Sequence, residues 1–291
     1  MNRLSSLASS DSSPSEPLTR PEPLTKLHHE EASVEASRRE SDSVTHAMSG
    51  PLGRLLRPKI TRPRCFVVPL RYESAYRYPL IVWLHNDGYN ENQICDVMPH
   101  MSTRNYVGVG VRGSIATDTT GNRFAWSQTP AAVARCEDAV WQAIDEASKR
   151  YSIHPERIFI AGYGEGATMA RRVAFQRSAQ FAGCIALGGR MPRGGGVLGN
   201  LNATRTIRNF WASAINNPSI SEEQFDEDIR LIANARLRME VRRYTTDDEM
   251  VTEVLRDVNV WMMDIVTGQG GSHVKPAAQD WTTTPVQFSS N

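Results

Sequence analysis

A mostly parallel sheet with helices on both faces is the fold class this sequence predicts, and three observations predict it. Strand-like apolar runs alternate with stretches of helical period from about residue 60 to about residue 267. One run, Leu80-Ile-Val-Trp-Leu84, is apolar without interruption, as a strand buried on both faces must be. A second, Arg157-Ile-Phe-Ile-Ala161, runs straight into the glycine-rich segment Gly162-Tyr-Gly-Glu-Gly166 and then into a helical pattern, the strand–turn–helix join of α/β proteins.

The elements follow in order. Cys65–Leu70 reads as an edge strand, because Pro69 cannot donate to a ladder. Leu80–Leu84 and Tyr106–Val111 are the next strands. Ala131–Arg150 is a long helix carrying Val133, Val140, Ile144 and Ala147 near helical spacing. Arg157–Ala161 is a buried strand and Ala167–Gln176 a helix. Ala182–Leu187 and Ile207–Ala212 are strands. Glu222–Ala235 is a helix with Ser221 as its N-cap. Arg238–Tyr244 is the last strand and Glu249–Val266 the last helix.

Residues 1–58 are rich in Ser, Pro, Glu and Arg and contain no aromatic residue. Such a segment buries too little apolar surface to offset the entropy of ordering it, so a disordered tail is expected. Residues 268–291, rich in Gly, Ser, Thr and Pro around a lone Trp281, read as a flexible C-terminal tail. The remaining 60–267 has the size of one α/β domain.

Composition narrows the function classes. The formal charge is +1, with 33 Lys and Arg scattered among 32 acids, which offers no electrostatic case for nucleic acid or an anionic membrane surface. No apolar run approaches the length of a membrane span. The four cysteines, Cys65, Cys95, Cys136 and Cys184, form no C-x-x-C pair, so neither a zinc site nor a redox motif is indicated. Buried thiols in a reducing compartment are the expectation, and the protein is expected in the cytoplasm, without metal or cofactor.

The most informative segment is Ile158-Phe-Ile-Ala-Gly-Tyr-Gly-Glu-Gly-Ala-Thr-Met-Ala170. The spacing Gly162-x-x-x-Gly166 is that of the nucleophile elbow G-x-S-x-G, where small residues let strand and helix nearly touch. The elbow centre, where a nucleophile's side-chain oxygen belongs, is Gly164. With its neighbours in order, this segment gives residues 62–267 a resemblance to the α/β-hydrolase fold, in its phospholipase/carboxylesterase-like branch. Pro79–Gly88 looks like that family's strand and oxyanion loop, which usually ends in His-Gly. Phe181–Gly189 looks like the strand after the elbow helix. Phe210–Asn217 stands where the family carries its acid, and Thr245–Leu255 where it carries Gly-His before the last helix.

Carried over residue by residue, the resemblance implies a triad that fails three times. The nucleophile falls on Gly164. The acid falls on Asn217, or on Asn216 one place earlier. The histidine falls on Asp248, or on Asp247 in the neighbouring register. Serine attack needs an oxygen, a base to take its proton and an acid to orient that base. Loss of the nucleophile alone lowers turnover by about a million-fold. Glycine at the centre also relieves a strained backbone, worth about 1–3 kcal/mol.

His85, Asn86, Asp87 and Gly88 are the candidate pocket and oxyanion residues, together with Glu165. His85 reads as a buried, hydrogen-bonded ring, since nothing nucleophilic pairs with it. His154 precedes the elbow strand and belongs at the wrong end of the sheet, and His100 lies in a helix or loop after the oxyanion turn. Glu165 and Asp248 could act as paired carboxylates, but a solvated carboxylate at a helix N-terminus is the simpler role for Glu165. Trp126 is expected in the core. Arg193–Gly199 is expected to rim the pocket.

The same turn also matches the dinucleotide fingerprint, as Gly162-x-Gly164-x-x-Ala167. That reading wants an acid at the end of the next strand, which instead ends Leu187-Gly-Gly-Arg190, and it wants the first strand of the domain. Three classes therefore stand: an inactive hydrolase domain that holds a small-molecule or protein ligand in the former pocket, a carboxylic ester hydrolase using displaced groups, and a nucleotide-binding domain. Gly164, Asn217 and Asp248 are expected to converge at the C-terminal edge of the sheet near His85–Gly88.

Overall fold

The computed structural model describes residues 63–194, 196 and 199–268. The tail expected at 1–58, and all of the tail expected at 268–291 except Gly268, lie outside the described residues. Among the described residues, nine strands and six α-helices follow in chain order: β1 (Arg64–Val67), β2 (Tyr78–Leu84), α1 (Gln93–Met101), β3 (Val107–Val111), β4 (Ile115–Ala116), β5 (Phe124–Ala125), α2 (Pro130–Arg150), β6 (Ile153–Tyr163), α3 (Glu165–Gln176), β7 (Gly183–Leu187), α4 (Leu201–Thr204), β8 (Arg208–Ala214), α5 (Glu222–Ala235), β9 (Met239–Tyr244) and α6 (Thr252–Thr267). Seven strands form one sheet in the order β1-β3-β2-β6-β7-β8-β9. Only β1, at the edge, runs antiparallel to its neighbour; every other pairing is parallel. β4 and β5 make a separate short hairpin.

The apolar pattern of β2 explains its place in the interior. Leu80, Val82 and Leu84 face one side, in a cluster with Val133, Val140, Ala167, Val173 and Phe225 from α2, α3 and α5. Ile81 and Trp83 face the other, with Ile94 and Met98 of α1 and Val254, Val258 and Trp261 of α6. A strand with no polar position leaves no face for water, so it is covered on both sides. The helix starts obey local chemistry. Thr129 caps α2, accepting from the Ala132 N–H ahead of Pro130. Ser221 and Gln224 close a reciprocal capping box on α5, as the N-cap reading expects.

Several local features depart from the expectation. β1 ends at Val67, so Pro69 lies beyond the strand, and the edge position shows instead in β1 pairing only with β3. His100, expected in a helix or loop, lies in helix α1, which carries Pro99 inside its last turn. The last helix starts at Thr252 rather than Glu249, because the chain before it stays outside the helix while the Glu249 carboxylate bonds across to β8 and its loop. Gly268, expected in the C-terminal tail, is the left-handed cap of α6, with φ 73°. No helix among the described residues is long and apolar enough to cross a membrane.

Candidate functional site

The C-terminal ends of β2, β6, β8 and β9 deliver four loops to one edge of the sheet. β6, the central strand between β2 and β7, ends at Tyr163, and α3 begins at Glu165, so one residue makes the whole turn. That residue, Gly164, has φ 55° and ψ −124°, a conformation that L side chains rarely adopt. Its N–H donates to Leu187 O at 2.9 Å. The flanking glycines are set by close approach. A Cβ on Gly162 would lie 2.5 Å from Gly166 O, and one on Gly166 would lie 2.8 Å from the Leu84 carbonyl carbon. The strand and helix touch as the spacing predicts.

The space beside Gly164 is filled. A Cβ there would fall far inside contact with Asn86 Oδ1 and 2.7 Å from Asn86 Cγ. Asn86 is held in this position. Its Oδ1 accepts from the Asp87 N–H at 2.9 Å, and its own N–H donates to Gln93 Oε1 at 3.2 Å. Gln93 Oε1 also accepts from Trp83 Nε1 at 3.0 Å, so a buried indole of β2 and the first residue of α1 fix the loop.

His85 is fully buried. The Gly113 N–H donates to its Nε2 at 2.9 Å, which places the ring proton on Nδ1, where it donates to Asn86 O at 2.7 Å. Burial pushes its pKa below the ordinary 6.5 and keeps it neutral. Both nitrogens are thus committed to backbone, which is the structural role expected of it. Trp126, buried against the His85 ring, donates its indole N–H to His85 O at 2.7 Å. Gly88, with φ 81°, donates to Phe124 O at 2.9 Å and closes the loop.

Asn217 reaches the same edge, but its partner is Glu249, not Asp248. Asn217 Nδ2 donates to Glu249 Oε2 at 2.9 Å and to Oε1 at 3.1 Å, and the Ala214 N–H adds a bond to Oε1 at 2.8 Å. Glu249 is completely buried, beneath Gly188. Burial raises its pKa above the usual carboxylate value, against the lowering by the Ala214 and Asn217 bonds. Asp248 points elsewhere, accepting from the Tyr163 hydroxyl at 2.8 Å and the Met250 N–H at 2.6 Å. The Asn216 N–H donates to Thr246 O at 3.2 Å. The carboxylate facing the acid loop therefore lies one residue beyond the sequence alignment. Asp247, Asp248 and Glu249 offer carboxyls at three consecutive positions, and only the path of the loop after β9 decides which turns inward.

Two more carboxyls stand at the mouth. Asp87 accepts from the Trp126 N–H at 3.1 Å, and Glu165 accepts from Gln128 Nε2 at 3.2 Å. Both are pushed above the ordinary carboxylate range, chiefly by partial burial, and the charge of Asp87 adds to the effect on Glu165. Arg172 donates to Gln128 Oε1 at 2.6 Å and to Arg193 O at 2.8 Å, tying Glu165's neighbour to the glycine-rich loop.

Arg190, at the strand end where the nucleotide reading wants an acid, and the two remaining histidines of the sheet domain are engaged elsewhere. Arg190 bonds Glu227 at 3.0 Å and Asp228 at 3.3 Å. His154 lies near the start of β6, at the opposite end of the sheet, and the His100 ring meets the Thr252 hydroxyl at 3.0 Å. The cleft of about 230 Å³ lined by Glu73, Tyr76, Tyr78 and Met263 also sits at the N-terminal end of β2, away from the elbow. Among the described residues no group of three His, Cys, Asp or Glu is placed to hold a metal ion.

No protein-family model and no curated protein matches the chain. Solved structures do. A Bacillus cereus carboxylesterase is similar at 17% identity and TM-score 0.55, over 71% of this chain and 96% of that one. Arabidopsis thaliana SOBER1 is similar at 15% identity and TM-score 0.55, over 66% and 100%. A phospholipase/carboxylesterase from Dyadobacter fermentans is similar at 13% identity and TM-score 0.51, over 70% and 97%. The chain has the α/β-hydrolase fold of these carboxylesterase and phospholipase/carboxylesterase structures.

Proposed function

We propose that this protein is a hydrolase-fold domain that does not cleave esters and that holds a small molecule or a protein segment at the C-terminal edge of its sheet. The observation that carries the reading is the elbow. Gly164 keeps the backbone of a nucleophile turn, has no side chain to attack with, and has the Asn86 side chain in the room a nucleophile would need. The resembling family usually has glycine at the place of Asn86, so atoms removed at one position are returned by the other. The remaining triad positions, assigned in this reading to Asn217 and Glu249, form an amide–carboxylate pair. It contains no imidazole, so it cannot pass a proton at neutral pH as a histidine does.

The test is covalent labelling. The oxygen of an activated serine displaces fluoride from a fluorophosphonate, leaving a phosphonate ester that adds the reagent's mass less HF to the chain. Full-length protein should show no adduct in intact-mass spectra under conditions that fully label an ordinary carboxylesterase. A stoichiometric adduct mapped to the edge loops would end the proposal.

The second reading, hydrolysis by displaced groups, has one observation behind it. The carboxyls of Asp87 and Glu165 stand at the elbow mouth with raised pKa values, the condition for acid–base work near neutrality. It requires that wild-type protein turn over a small ester and that Asp87→Asn or Glu165→Gln abolish that turnover.

A further inference from the structure

Two of the four cysteines are not the buried thiols the composition suggests. Cys136 and Cys184 are buried, but Cys65 is half-buried on β1 and Cys95 is exposed on α1. The fold brings these two together. β1 is the antiparallel edge strand, with Cys65 opposite Gly110 of β3, and α1 lies across it, with Cys65 packed against the cluster that contains Ile94, Val97 and Met98. The two Sγ atoms are 2.7 Å apart across a separation of 30 residues. That gap is only about 0.7 Å longer than the ~2.05 Å of a disulfide bond.

We propose that Cys65 and Cys95 form a reversible disulfide that fastens α1 and the loop in front of it to the edge strand. Exposure makes Cys95 the first to react. Its thiolate attacks glutathione disulfide, forms a mixed disulfide and releases one glutathione thiolate. Cys65 then gives its proton to solvent and attacks Cys95 Sγ, expelling the second glutathione. Two thiols are oxidised, and one glutathione disulfide is reduced to two glutathiones. Burial, together with the nearness of Cys95, pushes the Cys65 thiol up to about 12, so Cys65 is not the thiol that reacts first.

The bond would act where the candidate site is held. Cys95 is two residues from Gln93, whose side chain accepts from the Asn86 N–H and the Trp83 indole. The buried Glu91, in a bidentate bond with Arg112, anchors the same loop to the end of β3. A Cys65–Cys95 bond adds a covalent tie on the outer side of the segment that positions Asn86. This inference stands whether or not the elbow is catalytic.

The experiment equilibrates full-length protein in glutathione buffers from fully reducing to fully oxidising and counts thiols after denaturation. The expected count falls from four to two. Proteolysis without reductant should yield one cross-linked pair of peptides containing Cys65 and Cys95, and Cys95→Ser should hold the count at three throughout. Closing a loop of this size should raise Tm of the oxidised wild type by roughly 5 °C or more, with no rise in Cys95→Ser. A count that stays at four, two separate glutathione adducts, or a cross-link involving Cys136 or Cys184 would each overturn the proposal.

Discussion

Gly164→Ser places a hydroxyl at the centre of the turn between β6 and α3, and the geometry says what that costs. A serine would hold φ 55°, ψ −124°, which carries about 1–3 kcal/mol of backbone strain for a non-glycine residue. Its Cβ would overlap the Asn86 side chain, which must swing away and give up the bond from the Asp87 N–H, worth about 1 kcal/mol. Together these destabilise the domain by about 2–4 kcal/mol, a fall in Tm of roughly 5–15 °C for a domain of this size. The two contributions separate in a double-mutant cycle with Asn86→Ala, which removes the obstructing amide but not the strain. The pair should be less destabilised than the sum of the single changes by about 1 kcal/mol. Urea unfolding of the four proteins supplies the numbers. Additive effects, or a Gly164→Ser variant as stable as wild type, would refute the claim that Asn86 occupies the nucleophile's space.

Other outcomes follow from the same contacts. Gly164→Ser alone should give no ester turnover, since Glu249 is a carboxylate where imidazole is required; adding Asn86→Gly, Asn217→Asp and Glu249→His should restore weak turnover of p-nitrophenyl acetate, and substituting Asp248→His for Glu249→His should not. Glu249 has a folded pKa above its ordinary 4.5, so its ionisation costs stability as pH rises from about that value through the raised one. Glu249→Gln should therefore flatten the decline of stability across that window, and unfolding free energies at pH 4.5 and 7 with an unchanged slope would contradict it. His85 has a depressed pKa, so nitrogen shifts should report the neutral Nδ1–H tautomer well below pH 6.5; titration at the ordinary value would contradict the burial argument.

Much of the fold was legible because its signals are local. The unbroken apolar run of β2 forces two-sided cover, and the spacing of Gly162 and Gly166 alone announces a strand and helix in contact. Ser221 and Gln224 spell out their own capping box. The site was less legible because it is assembled by loops. Which of Asp247, Asp248 and Glu249 turns inward depends on where the Ala214 N–H and the Asn217 amide wait, and these lie more than 30 residues away in the chain. The meaning of Asn86 appears only when the β2 loop is laid over the elbow. Cys65 and Cys95 carry no motif, and their meeting depends on an antiparallel edge strand passing under α1.

The measurement that bears most directly on the central claim is the steady-state hydrolysis of p-nitrophenyl acetate by wild-type protein, compared with Gly164→Ala and with buffer. Wild type and variant should both release p-nitrophenol at the buffer rate, within the small contribution of surface side chains. Saturable turnover by wild type at the rate of an ordinary carboxylesterase, lost in Gly164→Ala, would contradict the proposed function and place working chemistry at an elbow that carries no nucleophile.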